Sequence, residues 1–146
     1  MKQKSIKPAR DVPFAEGILM YNGTPSAITK NVIVRIDHGA LQGSGLRMTP
    51  AQANTDAGGA KVPLFVTKHG VPAGKWGVVL PWSIIQNINT SGIANEGDAF
   101  YLQDGATGTF GPAKGTVHRA VGVCIVKHAA NGIVLLSPGM FTYGTD

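Results

Sequence analysis

Histidine and cysteine are the residues of this chain that could bind a transition metal. Zinc sites usually take ligand pairs separated by about two to five residues, which one turn can present together. Cys124 is the single cysteine, and no two histidines have that spacing. The histidines are His38, His69, His118 and His128. We therefore expect no metal site, and we predict that the histidines lie in turns or at the surface.

Catalysis by a serine–histidine pair would need a nucleophile, a base and an orienting carboxylate within hydrogen-bond reach. Asp37 and His38 are adjacent in the sequence, but adjacent residues of a strand point to opposite faces, so Asp37 is badly placed to orient that ring. Ser44 lies between two glycines, yet a nucleophile elbow also needs a glycine at the position held by Gln42. Turn chemistry explains these residues, and we expect no catalytic residue among them.

The closest pair of carboxylates is Glu96 and Asp98, on either side of Gly97. This pattern predicts a solvated turn that leads into a strand, rather than the paired acids of a glycosidase. No glycine-rich segment has the spacing of a phosphate-binding loop. The sequence therefore predicts a protein that is not an enzyme, with no cofactor and no small-molecule substrate.

Length and composition favour one mainly β domain. The chain has 146 residues, enough to bury a core without disulfides, and its 20 glycines and 9 prolines suit many tight turns between short strands. Cys124 lies in an apolar run and is expected to pack as a small buried side chain. No apolar run is long enough to span a membrane or to form a secretory signal. We expect a soluble, non-secreted protein.

Most of the net charge is at the N-terminus. Residues 1–10 contain four basic residues and no acidic one, whereas the remaining residues contain 9 basic and 8 acidic side chains. We interpret residues 1–16 as an extended basic arm that becomes ordered against a partner, and residues 17–146 as a single β domain. Nucleic-acid binding by a small β-barrel is the alternative, and the nearly neutral body makes it the second choice.

Short apolar runs that end at glycine, asparagine or aspartate predict an antiparallel β-barrel or sandwich with few or no helices. Residues 38–61 are poor in apolar side chains and are predicted to form a long loop, with one helical turn at 49–53. Most aromatic residues lie in the strands and are expected in the core. The predicted strands cover residues 17–21, 31–36, 62–67, 76–80, 82–89, 97–105, 120–126 and 132–136. Within 82–89 the apolar positions 82, 84 and 88 follow the period of two that is typical of a strand.

The last two predicted strands are apolar at both odd and even positions. Residues 121–126 and 133–136 would therefore present apolar side chains on both faces of a sheet. An antiparallel sheet normally leaves one face in water, so both faces here need cover. A second sheet could provide it in a simple closed barrel, and a neighbouring subunit could provide it in a homo-oligomer.

Several short motifs form a set that covers residues 62–139. They are Phe65-Val66 before the turn Pro72-Ala73-Gly74, the segment Gly97-Asp98-Ala99-Phe100-Tyr101-Leu102, the run Ala120-Val121-Gly122-Val123 and the run Gly132-Ile133-Val134-Leu135-Leu136. This set resembles the small β family of capsid decoration, or cement, proteins of tailed bacteriophages. The 38–61 segment and the basic arm lie outside the resemblance.

The resemblance implies a structural protein with a β-tulip-like fold, usually a homotrimer. Such a protein binds the outer surface of the phage head and stabilises the junctions between coat subunits, with the major capsid protein as its partner. Its expected place is the virion, after synthesis in the bacterial host cytoplasm. A head-fibre base or a tail-tube relative on a similar barrel is a further alternative.

For the arm, we hypothesise contact with acidic and apolar surface of the coat protein. Ordering a dozen residues costs roughly 12–24 kcal/mol, while each exposed ion pair returns at most about 1 kcal/mol. Charge would therefore steer the arm, whereas strand addition and trivalent attachment would hold it. The predicted capsid-binding residues are Lys2, Lys4, Lys7, Arg10 and Phe14.

Overall fold

Strands make up the regular structure of this protein, as the sequence predicts. The computed structural model describes residues 17–43, 45–55, 58 and 62–139, without the side chains of residues 38–40. These residues contain ten strands and no helix, and so no helix that could cross a membrane. The strands are β1 (Ile18–Asn22), β2 (Ile33–Gln42), β3 (Gly45–Pro50), β4 (Leu64–Thr67), β5 (Trp76–Leu80), β6 (Ser83–Ile88), β7 (Ala99–Leu102), β8 (Phe110–Gly111), β9 (Ala120–Val126) and β10 (Gly132–Leu136).

The first five strands form a closed barrel in the order β1-β3-β2-β4-β5, which β5 closes by pairing with β1. One pairing departs from the antiparallel expectation, because β1 and β3 run parallel, with Tyr21 opposite Arg47. Alternate residues of each strand point inward and fill the interior. The buried residues of the interior are Met20, Ile28, Val34, Met48, Val71 and Val79.

The last five strands form an open antiparallel sheet in the order β6-β10-β9-β7-β8. This sheet therefore does not close, and its inner face packs against the outside of the barrel at β2 and β4. Ile33 and Val34 are adjacent residues of β2, and each belongs to a different core because their side chains point to opposite faces. Cys124 is buried in the core between sheet and barrel, which confirms its predicted role as a packing residue.

A buried arginine joins the segments that flank the sheet and the barrel. Arg119 is 1% exposed, and its guanidinium donates to the carbonyl of Val62 at 3.2 Å and to that of Pro138 at 2.9 Å. Val62 precedes β4 and Pro138 follows β10, so the fork of one side chain ties together two segments far apart in sequence. Arg119 thereby fixes the end of β10 to the start of β4.

The prediction of a long loop over residues 38–61 is wrong for its first half. β2 continues to Gln42 and pairs with β3 from Gly45, so residues 33–50 form a hairpin. Its far end carries few apolar residues because it extends past both cores, with Leu41 opposite Leu46 as the last apolar pair. The helical turn predicted at 49–53 is also wrong, since Thr49 pairs with Arg35 in the ladder.

The strand predicted over residues 82–89 exists as β6, but its buried side differs from the apolar positions 82, 84 and 88 that the sequence suggested. Ile85 is buried against the barrel, whereas Ile84 and the preceding Trp82 are exposed. The left-handed backbone of Asn87, with φ of 59°, accompanies a register shift that brings Ile88 back to the core. The bulge at Asn87 shifts the alternation of β6 by one residue, so that Ile85 and Ile88 both face the core although they are three residues apart.

Candidate interaction surfaces

The predicted capsid-binding residues belong to the N-terminal segment. Lys2, Lys4, Lys7, Arg10 and Phe14 all lie in residues 1–16, outside the described residues. Within the described residues, the candidate surfaces belong to the barrel and the sheet.

The carboxylates on either side of Gly97 have the turn role that the sequence predicts. A Glu96 carboxylate oxygen accepts from the backbone N–H of Lys127 at 2.8 Å, and Asp98 accepts from that of Asn95 at 3.0 Å. Gly97 takes φ of +91°, which suits glycine in a tight turn. Both carboxylates thus bind neighbouring backbone and have no shared substrate position between them.

The histidines with described contacts also bind backbone. Nε2 of His69 accepts from the N–H of Val78 at 3.2 Å, so its Nδ1 carries the proton and donates to the carbonyl of Gly70 at 2.8 Å. Nδ1 of His128 accepts from the N–H of Asn131 at 2.8 Å. Within the described residues, no three histidine, cysteine, aspartate or glutamate side chains come together as metal ligands.

Asp104 is the one described residue with a clear change in acidity. The Thr116 hydroxyl donates to its carboxylate at 2.6 Å and the Thr116 backbone N–H donates at 2.9 Å. These two bonds, the hydroxyl first, hold the pKa of Asp104 below its ordinary value of 3.8, because they favour the charged form. Asp104 is exposed and fastens the 103–116 loop.

An uncharged apolar surface covers the outer face of the sheet. Register aligns four aliphatic residues across four strands: Ile84 of β6 opposite Leu135 of β10, Leu135 opposite Val123 of β9, and Val123 opposite Ala99 of β7. We call these four residues the aliphatic row. Ile84 is 50% exposed, and Ile125 beside the row on β9 is 43% exposed. The barrel does not cover this row.

One end of the aliphatic row lies at an unpaired strand edge. Among the described strands, β6 pairs only with β10, and its other edge, the open edge, carries no ladder. The strand contains no charged residue and no proline. Trp82, 52% exposed, stands just before it. Natural sheets usually protect such an edge with lysine, proline, a bulge or a covering segment, and β6 has only the bulge at Asn87, so residues 83–86 of this edge are suited to accept another strand.

The other end of the row opens into a shallow pocket of about 430 Å³. Ala99 and Tyr101 of β7 line it together with Asp98 and Lys114. The Lys114 ammonium lies 5.7 Å from the centre of the Tyr101 ring, within range of a cation–π contact. The apolar row is thus bounded on this side by one acidic and one basic side chain.

A second apolar patch lies on the barrel wall. Tyr21 and Trp76 are opposite each other on β1 and β5, with ring centroids 5.4 Å apart and an interplanar angle of 66°. The Trp76 indole covers Gly45, where a Cβ would overlap it. Leu19 is 59% exposed beside them. This barrel patch is separate from the aliphatic row.

The expectation of buried aromatic residues is wrong for both tryptophans, which are 43% and 52% exposed. The alternation of β5 could have predicted the exposure of Trp76. Gly77 and Val79 point into the narrow barrel interior, so Trp76, at the other parity, points outward. A Cβ at Gly77 would overlap the Val71 side chain, which shows how little space the interior has. In β6 the apolar positions 82, 84 and 88 predicted the wrong buried side, because Ile85 is the residue that packs against the barrel.

No family model, curated protein or solved structure matches this chain. The structure establishes a mainly β protein with a closed barrel and an open sheet. The functional interpretation therefore depends on the aliphatic row, the open edge and the barrel patch.

Proposed function

We propose that this protein is a structural decoration protein that binds the outer surface of a phage head as a homotrimer and stabilises coat-subunit junctions. The observation that carries the proposal is the aliphatic row, which crosses four strands without a charge and has neither sheet nor barrel over it. Exposed apolar rows of this kind mark surfaces for protein contact. The motif resemblance over residues 62–139 supplies the class of partner.

In this proposal, neighbouring copies cover the aliphatic row. Full burial of an isoleucine is worth about 1.5–3 kcal/mol, so covering the exposed half of Ile84 returns about half of that in each copy. In a closed ring of three copies the three interfaces are identical, so the same gain is repeated at each of them. The row therefore favours assembly before any contact with the coat.

The basic arm contributes mainly to finding the shell. Its four cationic side chains attract acidic coat surface over a distance of about one Debye length, roughly 8 Å at physiological salt. Exposed ion pairs are too weak to hold the protein in place. Three arms on one trimer would bind with an avidity that no single arm has.

The test compares two substitutions on the two apolar surfaces. Ile84→Asp puts a charge into the aliphatic row, and Leu19→Asp puts the same charge on the barrel patch. We expect the unmodified protein to sediment at three times 15.2 kDa and to co-sediment with shells of the major capsid protein from the same genome. Ile84→Asp should sediment as a monomer and bind shells at least tenfold more weakly, while Leu19→Asp should keep the trimer. A strictly monomeric unmodified protein at micromolar concentration would contradict the proposal.

A further inference from the structure

The two ends of the aliphatic row differ in a way that makes them complementary. At the β6 end, Trp82 is 52% exposed beside the open edge. It stands two residues before Ile84, so strand alternation puts its side chain on the same face as the row. At the β7 end, the pocket of about 430 Å³ opens beside Ala99 and Tyr101. One end of the row therefore carries an exposed aromatic ring, and the other end carries a cavity.

The residues that line this pocket suit an indole ring. The Lys114 ammonium, which lies 5.7 Å from the centre of the Tyr101 ring, can also contact a second ring that enters the pocket. One carboxylate oxygen of Asp98 accepts from the backbone N–H of Asn95 at 3.0 Å, which leaves the other oxygen to accept from an indole N–H. Apolar contact comes from four further lining residues, Ile93, Ala94, Ala99 and Pro112.

Of the two tryptophans, Trp82 is the one available for such a contact. The Trp76 indole packs edge-on against Tyr21 and covers Gly45. Trp82 has no aromatic partner of this kind among the described residues. Aromatic rings bury a large apolar area when they find a partner surface, so the exposed Trp82 ring favours a contact with another molecule.

Trp82 is too far from the pocket of its own chain to fill it. Strands β10 and β9 lie between β6 and β7 in the sheet. The three strand spacings of about 4.8 Å add up to roughly 14 Å, which is farther than a tryptophan side chain reaches. The ring and the pocket can therefore meet only when they belong to different copies of the chain.

A contact between two different patches of the same chain is head to tail. Such contacts give a closed ring when the rotation between copies returns to its start, and an open filament when it does not. The proposed homotrimer is a closed ring of this kind, in which each copy presents one ring and one pocket. Ile84 enters the same interface as Trp82, because both lie on one face at the open edge.

We propose that the Trp82 indole of each copy inserts into the pocket beside Ala99 of the next copy, and that three such contacts close the trimer. This inference rests on the proposed homotrimer and specifies the residues that join its copies. It assigns the pocket at β7 to a second copy of this chain rather than to a small molecule.

Complementation between two variants tests the head-to-tail contact. Trp82→Ala removes the ring and keeps the pocket, whereas Ala99→Trp fills the pocket and keeps the ring. Each variant alone should sediment as a monomer, with association at least tenfold weaker than that of the unmodified protein. An equal mixture retains one intact contact, between Trp82 of the second variant and the pocket of the first, and should sediment as a dimer of twice 15.2 kDa. This dimer lacks ring closure, so it should need a higher protein concentration than the trimer does.

Trp76→Ala is the matched control, because it removes the same ring from the barrel patch and leaves Trp82 as the only tryptophan. This variant should remain a trimer. Its fluorescence emission should shift to shorter wavelength as the trimer assembles, since the Trp82 indole then leaves water. Near-ultraviolet circular dichroism reports whether Ala99→Trp is folded, and if it is not, Trp82→Ala and the Trp82 emission decide the question by themselves.

The contrary results separate this inference from the proposed function. The insertion is refuted by a trimeric Trp82→Ala, by a mixture of the two folded variants that stays monomeric, or by Trp82 emission that does not change on assembly. Each of these results leaves the proposed trimer intact, with another contact between its copies. A monomeric unmodified protein would overturn the insertion and the proposed function together.

Discussion

Replacing Arg119 by methionine is the most direct way to test how the sheet is held on the barrel. Arg119→Met keeps much of the side-chain length and removes the guanidinium that donates to Val62 and Pro138. The two carbonyls would lose charged donors in a buried setting, where each such hydrogen bond contributes about 1.5–3 kcal/mol. Methionine also removes the cost of burying a cation, which offsets part of this loss. We therefore expect the lower end of the range for two such hydrogen bonds, a decrease of about 3 kcal/mol in the free energy of unfolding.

Urea unfolding followed by near-ultraviolet circular dichroism measures this loss by linear extrapolation. For a chain of this size, 3 kcal/mol corresponds to a melting temperature lower by roughly 6–12 °C. Arg47→Met is the matched control, because Arg47 is only partly buried and donates to one backbone carbonyl, that of Gly23, at 3.1 Å. For Arg47→Met we expect a loss of about 1 kcal/mol in the free energy of unfolding. The reasoning is refuted if Arg119→Met costs less than about 1 kcal/mol, or no more than Arg47→Met.

Three further predictions concern the loops and the nucleic-acid alternative. Gly108→Ala should lower the free energy of unfolding by more than about 3 kcal/mol, because a Cβ there would overlap the Ile33 carbonyl. Gly97→Ala is the control: its φ is also positive, at +91°, but the space around it is open, so we expect a loss of about 1 kcal/mol. Equal losses in the two variants would show that the overlap at Gly108 is relieved. The lowered pKa of Asp104 means that its carboxylate contributes stability above its ordinary value of 3.8 and loses that contribution as pH falls through the lower folded value. The urea midpoint of Asp104→Asn should therefore fall less between about pH 5 and pH 2 than that of the unmodified protein, and parallel curves would contradict this assignment. Gel-shift titration with single-stranded DNA at physiological salt should give no shift at micromolar protein, and a shift would favour the nucleic-acid alternative.

The sequence predicted most strands because their signals are local. The apolar run of β5 lies between Gly74 and Pro81, that of β10 lies between Asn131 and Pro138, and both strands lie where their composition predicts them. The hairpin of β2 and β3 was missed because its tip lies beyond both cores and carries little apolar alternation. The parallel pairing of β1 with β3 joins distant segments, and no local pattern encodes it.

The candidate surface was only half predictable. Apolar residues at both odd and even positions of β9 and β10 correctly indicated that each face of the sheet carries apolar side chains. The pattern did not show which face meets the barrel, because that depends on packing against Leu64 and Val66 of β4. The aliphatic row arises only when register aligns Ile84 with three other strands, and a single sequence does not contain that register.

Electron cryo-microscopy of capsids with and without the protein tests the central claim most directly. Shells of the major capsid protein from the same genome would be mixed with the full-length protein and, separately, with a version that lacks residues 1–14. We predict three-lobed additional density on the outside of the shell with the full-length protein, and its loss or strong reduction with the shortened one. Bare shells at saturating full-length protein would contradict the account.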